Sequence, residues 1–259
     1  MTTVSEVRPV GPAEDAPIPT TVEGPVEGPG APPGPTAVAD LDELHRVSRD
    51  LEARPAAGAA RAAIEWAADR FGTGLVLAAS FQDCVVIDLA VQVDPAIEVT
   101  FLDTGYHFAE TLWYVEQVRR RYDLNLRVVG ADVPPDDRWL TDTDACCAAR
   151  KVAPLAAALQ GRAAWMSGLR RADGPSRTAT PVVGYDVGRG LVKVNPIAAW
   201  SDADVAAHVA ARDLPAHPLV DRGYPSIGCW PCTRPVDTGA DPRAGRWAGS
   251  AKSECGLHG

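Results

Sequence analysis

Leu41, Leu44, Val47 and Leu51 recur at the spacing of one helix face with charges between them, and Ala59 to Phe71 continues as a second helix. Gly74-Leu-Val-Leu-Ala-Ala-Ser80 is a short apolar run closing in small residues, which predicts a buried strand opening into a loop. The pattern then alternates: a helix over Val85 to Val93, a strand over Ile97 to Leu102, a helix over Ala109 to Arg121 and a short strand over Leu126 to Val129. Thr143 to Leu159 predicts a helix, Ala164 to Ser167 a strand, Pro181 to Val194 a hairpin and Ser201 to Ala211 a further helix. Beyond Asp213 the periodicity fades and Pro, Gly, Arg and Cys take over.

Helices alternating with strands predict an α/β fold, a mostly parallel sheet with helices on both faces. Such sheets bind ligands at the carboxyl ends of their strands, where the loops Ser80-Phe-Gln-Asp83 and Asp103-Thr-Gly-Tyr-His107 fall. Neither G-x-x-x-x-G-K-[ST] nor G-x-G-x-x-G is present, which argues against Walker-type and dinucleotide-binding sites. Ser80 would still offer a hydroxyl and backbone N–H groups to an anion; taken alone, the loop reads more simply as a βα turn with Asp83 near the helix cap. Residues 1–38, rich in Pro, Gly and Ala without apolar periodicity, read as a disordered extension. An α/β domain over 39–247 and a mobile tail over 248–259 complete the expected layout.

The net charge of -9 and 46% hydrophobic content suit one globular domain, and more than half of that charge lies in residues 1–40. The remainder carries no general nucleic-acid or membrane-binding charge. No apolar stretch approaches the ~18 residues of a membrane span, and no signal-peptide pattern opens the chain, so a cytoplasmic protein is expected. In that compartment six cysteines point to metal or redox use rather than disulfides.

Five of the six lie where chemistry could use them: Cys146-Cys147, the pair Cys229-Trp-Pro-Cys232, and Cys255 on a Gly-flanked tail; Cys84 sits in an apolar run and reads as packing. Adjacent Cα atoms ~3.8 Å apart cannot easily form a disulfide, which wants at least ~4.4 Å. One zinc ion is an awkward host for neighbouring thiolates, whereas an iron–sulfur cube spreads its ligands over several irons. Spacing alone leaves a [4Fe-4S] cluster, zinc and ordinary free thiols open. Cations gather at Arg150-Lys151, Arg170-Arg171, Arg177, Arg243 and Arg246; any one alone reads as solvated charge, but Arg150-Lys151 directly follow the cysteine pair. His107 and His217 read first as polar loop residues, and Trp230 and Trp247 as packing. Lys252 and His258 could favour a Cys255 thiolate, with Glu254 acting against it.

Taken together, the motifs resemble one family. Cys146-Cys-Ala-Ala-Arg-Lys-Val-Ala-Pro-Leu155, Gly228-Cys-Trp-Pro-Cys-Thr233, Glu254-Cys-Gly-Leu-His258, Leu102-Asp-Thr-Gly-Tyr-His-Phe-Ala-Glu-Thr111 and Arg243-Ala-Gly-Arg-Trp247 are similar to segments of the assimilatory sulfonucleotide reductases, in consistent order over about residues 40–259. The resemblance implies a Rossmann-like adenine-nucleotide α-hydrolase (PP-loop) fold and a [4Fe-4S] cluster on Cys146, Cys147, Cys229 and Cys232. It implies Cys255 as nucleophile, with Lys151, Arg243, Arg246 and Arg177 toward the phosphosulfate. Ser80, Asp103, Thr104 and Gly105 would line the nucleotide site, with Leu102 near adenine or ribose. The full cysteine set favours adenosine 5'-phosphosulfate (APS) over its 3'-phosphorylated form (PAPS). The implied partner is thioredoxin or a glutaredoxin-like reductant, and a homo-oligomer is compatible. Ser80-Phe-Gln-Asp83 departs from the S-G-G-x-D-S loop of PP-loop ATP pyrophosphatases, against ATP cleavage. Competing readings are a zinc-stabilised PP-loop nucleotide-binding or tRNA-modifying protein, and a thioredoxin-like dithiol at Cys229/Cys232, which the following Thr-Arg-Pro-Val disfavours.

Overall fold

The computed structural model describes residues 40–250 and 252–258; the segment 1–38, expected to be a disordered extension, lies outside them. Six strands form one sheet: β1 (Leu75–Ala79), β2 (Glu98–Asp103), β3 (Leu126–Gly130), β4 (Ala164–Ser167), β5 (Val183–Asp186) and β6 (Leu191–Val194), in the order β3-β2-β1-β4-β6-β5. Every neighbouring pair is parallel except the β5–β6 hairpin. β1 pairs with β2 on one edge and β4 on the other, so the strand order reverses there. At such a switch point the loops leaving neighbouring strands diverge and open a crevice.

Strand alternation divides the interior into two layers. Leu75 and Leu77 join a large core with Val99, Phe101 and Met166, while Val76 faces the other way onto Leu155, Leu159 and Trp165. The large core is closed by α1 (Leu41–Glu52), α2 (Ala56–Phe71), α3 (Val85–Val91) and α4 (Ala109–Tyr122). Asp40 starts α1 by accepting from the backbone N–H groups of Asp42 (3.0 Å) and Glu43 (3.2 Å). In α2 the buried positions are Ala59, Ala60, Ala63, Ile64 and Ala67, and the four alanines let the helix pack close. Buried Asp88 ties α3 to α4 and the late helix: it accepts from the Tyr122 hydroxyl (2.9 Å), His208 Nε2 (2.9 Å) and Arg212 (3.2 Å).

The predicted helix over 143–159 forms in three pieces. After α5 (Arg138–Thr141), α6 (Thr143–Cys147) runs into a π-turn at Ala148–Val152 and continues as α7 (Ala153–Ala158); α8 (Asp202–Arg212) follows the hairpin. The wider turn falls directly after Cys146-Cys147 and contains Arg150 and Lys151. Interruptions of this kind re-aim side chains and are frequent at functional sites.

Leu77 is 1% exposed at the centre of β1. Leu77→Ala is expected to cost about 2–5 kcal/mol, read as a lower urea midpoint. Trp113→Ala, at a side chain 55% exposed on α4, should stay within about 0.5 kcal/mol of the parent.

Candidate functional site

A cleft of about 820 Å³ opens at the carboxyl ends of β1, β2 and β4, with Ala78, Ala79, Ser80, Leu102, Thr104, Ser167 and Gly168 along its rim. Small residues at these strand ends leave the crevice open. Phe81 turns the first loop sharply: its φ of 54° is left-handed, and its ring is fully buried edge-to-face on Phe101 at 5.3 Å. A β-carbon makes that backbone region costly, so core burial of the ring holds the turn. Gln82 Oε1 then accepts from the Ile227 N–H (2.9 Å), joining this loop to the segment before Cys229. Asp83 caps α3 through Val85 N–H (3.0 Å), and burial pushes its carboxyl pKa up.

Lys151, Arg170, Arg177, Arg243 and Arg246 all line the cleft. Arg170 is committed to Asp173 (2.7 Å) and Asp202 (2.9 Å). Arg246 reaches Ser226 Oγ (3.2 Å), but its Nε has no partner. Its guanidinium lies so close over Gly228 that a Cβ there would have to displace it. Burial, and then the Arg243 charge beside it, push Arg246 below the usual arginine pKa. Lys151 moves the other way: burial alone would lower its pKa, but the Cys229 and Cys255 sulfurs outweigh it. A cationic group with an unpartnered buried donor is suited to receive an anion.

The tail folds back into this cleft, so half-buried Cys255 lines it together with Glu254, Leu257 and His258. Glu254 pairs with Arg177 through both its oxygens (2.8 Å each). His258 stacks on Trp165 at 5.7 Å, and its Nδ1 meets Lys193 Nζ at 3.1 Å. Burial lowers Lys193 to about 8, and desolvation against Trp165 together with the Lys193 ammonium holds the partly solvent-exposed His258 below its ordinary value. Lys252 pairs with Asp144. The two groups expected to favour a Cys255 thiolate are therefore engaged elsewhere, and Glu254, expected to oppose it, is neutralised by arginine.

Behind the cleft, Cys146, Cys147, Cys229 and Cys232 line one small cavity with Tyr106, Trp139 and Arg150. Burial pushes the Cys147 thiol up to about 11 and raises Cys146 and Cys232 as well. Thr104 Oγ1 lies 3.3 Å from Cys229 Sγ. Among the described residues no three His, Cys, Asp or Glu side chains form a group that could hold a metal ion as they stand. Arg150 and Lys151, which directly follow the cysteine pair in sequence, both lie in the π-turn, but only Lys151 reaches the cleft. Arg150, 3% exposed, donates to Thr104 O (3.2 Å), Pro134 O and Asp136, lies over Tyr106 at 4.5 Å, and faces the cysteine cavity alone. Lys151 and Trp247 line both cavities.

Of the residues singled out in the sequence, Ser80, Leu102, Thr104, Lys151, Arg177, Arg243, Arg246 and Cys255 border the cleft, while Asp103 and Gly105 do not. Asp103 Oδ1 accepts from Gly105 N–H (2.9 Å), and Gly105 takes φ 73°, so this pair shapes the loop that carries Thr104. Arg171 turns away to Glu52 (2.8 Å). His217 is core, bonded to Thr111 (3.1 Å) and lowered to about 4 by burial. His107, also lowered by burial, holds Leu102 O at 2.9 Å. Trp165 was not anticipated, and Arg170 and Gln82 were named only as part of a cation pair and of a loop; each joins the site through a contact distant in sequence.

The profile of the phosphoadenosine phosphosulfate reductase domain matches residues 74–235. A Rhodococcus opacus protein named adenosine 5'-phosphosulfate reductase is 44% identical, covering 81% of this chain and 94% of its own. A Mycolicibacterium smegmatis protein of the same name is 45% identical over 84% of this chain and 95% of its own. Among solved structures, phosphoadenylyl-sulfate reductase from Candida auris superposes with a TM-score of 0.66 at 24% identity, covering 76% of this chain and 98% of that one. Candida glabrata FMN adenylyltransferase superposes at 0.52 and 15% identity, covering 79% of each chain. The fold is the Rossmann-like adenine-nucleotide α-hydrolase (PP-loop) fold expected from the sequence. The chain belongs to the phosphoadenosine phosphosulfate reductase domain family.

Proposed function

We propose that this protein reduces APS to sulfite and AMP, with Cys255 as the nucleophile and a thioredoxin-like dithiol as electron donor. The observation that carries the reading is the placement of Cys255: the tail brings this thiol into the same cleft as Ser80 and the cations Lys151, Arg177, Arg243 and Arg246. Relatives named adenosine 5'-phosphosulfate reductase, at about 44% identity over most of the chain, support the substrate.

The chemistry balances with these parts. The Cys255 thiolate attacks the sulfur of APS, the bond from sulfur to the bridging oxygen breaks, and AMP leaves with the electron pair. The product is a Cys255 S-sulfonate. A thiolate of the reductant then attacks the Cys255 sulfur and expels sulfite; its second thiol resolves the mixed disulfide and restores Cys255. Because an anion attacks an anion, the cleft cations must screen the encounter and the leaving phosphate. Ser80 and Leu102 would hold the nucleotide at the strand ends.

The cysteine cavity suits a [4Fe-4S] cluster: four thiols and no carboxylate, backed by Arg150, whose buried Nε lacks a partner. Cys146, Cys147, Cys229 and Cys232 would hold it, their protons exchanged for iron. When bound, the cluster supplies a buried negative centre that orders the wall carrying Lys151 and Trp247. Lys151, which borders both cavities, would then balance that centre and the substrate anion.

Cys255→Ser should abolish sulfite release from APS with thioredoxin, a loss of at least about 10³-fold; near-parental turnover overturns the mechanism. Anaerobically purified protein should contain about four irons with absorbance near 400 nm, whereas one zinc and no colour overturns the cluster. Faster turnover of PAPS than APS would overturn the substrate.

The docked tail also carries a pH signature. Desolvation and the Lys193 ammonium hold His258 below its ordinary pKa of 6.5, so the docked state loses stability as pH falls below 6.5 and the released imidazole takes up a proton, a small effect because the ring is also open to solvent. Glu254 is held below 4.5: burial raises it, but the hydrogen bonds and charge of Arg177 outweigh that, so its contact is fully present above 4.5 and is lost only as pH falls further. Amide exchange of residues 252–258, corrected for intrinsic rate, should rise between pH 7 and 5; a flat profile overturns this. His258→Gln should remove that rise.

A further inference from the structure

The cations of the cleft differ in what already holds them. Arg170 is committed to two aspartates of its own wall. Arg246 retains an unpartnered buried Nε. Arg177 and Arg243 share a carboxylate partner from the tail, Glu254, while Arg243 Nη2 also donates to the neighbouring Ser253 O at 2.9 Å. Glu254 Oε1 accepts from Arg177 Nε and Oε2 from Arg177 Nη2, both at 2.8 Å, in a two-pronged geometry. Oε2 also meets Arg243 Nη2 at 3.4 Å, and Ser176 Oγ donates to Oε1 at 3.1 Å. Arg177 keeps a weaker contact with Asp173 at 3.3 Å. One carboxylate thus receives up to four donors, the environment that a phosphate or sulfate group would need.

An acidic residue directly before a thiolate nucleophile, in a cleft that must admit an anion, is electrostatically unfavourable if it stays put. We propose that Glu254 is an internal stand-in for the substrate's anionic group: it holds Arg177 and Arg243 with the tail docked, and the incoming sulfonucleotide exchanges it out of that seat. This rests on the sulfonucleotide reading above and names a positioning residue for it. Exchange need not release the thiol, because Cys255 has a second anchor of another kind. On its carboxyl side Leu257 packs against the layer of Val76, Leu155, Leu159 and Trp165, and His258 stacks on Trp165. An anion competes for the arginines and leaves the apolar packing of Leu257 alone. The tail can therefore yield on one side of Cys255 and stay seated on the other.

The test uses the metal-loaded protein and two non-reacting probes, AMP and adenosine, in equilibrium binding. Glu254→Gln removes the competing charge with little change of shape. AMP should bind the variant about 3- to 10-fold more tightly than the parent while adenosine binding stays unchanged. In turnover the KM for APS should fall, and kcat should fall or hold. Equal or weaker AMP binding by the variant, or a parallel shift for adenosine, overturns the exchange. Parent protein that binds neither probe overturns the sulfonucleotide reading itself; parent that binds AMP beside a variant that gains nothing removes only the role of Glu254.

Discussion

The architecture depends on β1 being hydrogen-bonded in parallel on both edges. A parallel neighbour needs a crossover, and the chain makes these on one side to β2 and β3, then returns past β1 to β4. Loops leaving β1 and β4 must part company, and the crevice between them is the cleft. Small residues at Ala78, Ala79, Ser167 and Gly168 keep it open, while buried Phe81, held in a left-handed turn, bends the first loop so that Ser80, Gln82 and Asp83 line it.

Around this crevice the chain solves an electrostatic problem. An acidic protein concentrates five cationic side chains on one cavity, where like charges in partial burial repel. Asp173 and Asp202 hold one of them outright, Glu254 spans two, and Arg246 and Lys151 stand deeper with donors or charge in reserve. The charge is thus stabilised without being fully consumed. Lys151 and Trp247 are shared with the cysteine cavity, so that wall couples the proposed metal centre to the proposed reaction site through side-chain packing and charge.

Much of this was legible from local rules. Short apolar runs and period-3.6 patterns located all six strands and the longer helices to within a few residues, because the central strands are buried on both faces and the helices pack one face on the core. The π-turn at Ala148–Val152 was not legible: Thr143 to Leu159 has one continuous helical signature, and widening of a turn depends on what its side chains meet. The same limit separated Arg150 from Lys151, adjacent in sequence and sharing the cysteine cavity, of which only Lys151 also reaches the cleft. It also separated Thr104, which borders the cleft, from Asp103 and Gly105, which shape its loop. Arg170 looked no different from Arg171; only the aspartates and the glutamate that receive them tell the two apart.

By itself the sequence determined the element order, the parallel α/β class, the pairing of two cysteine motifs with a tail thiol, and the family they resemble. Those follow from periodicity and from residue types at short spacing, which act along the chain. Tertiary structure alone decided which cations face the cleft, that the tail docks through Glu254 and His258, and that Trp165 and Lys193 receive it. These contacts join residues some 65 to 93 positions apart. Whether two such groups meet depends on burial and on competing partners, neither of which a linear pattern records.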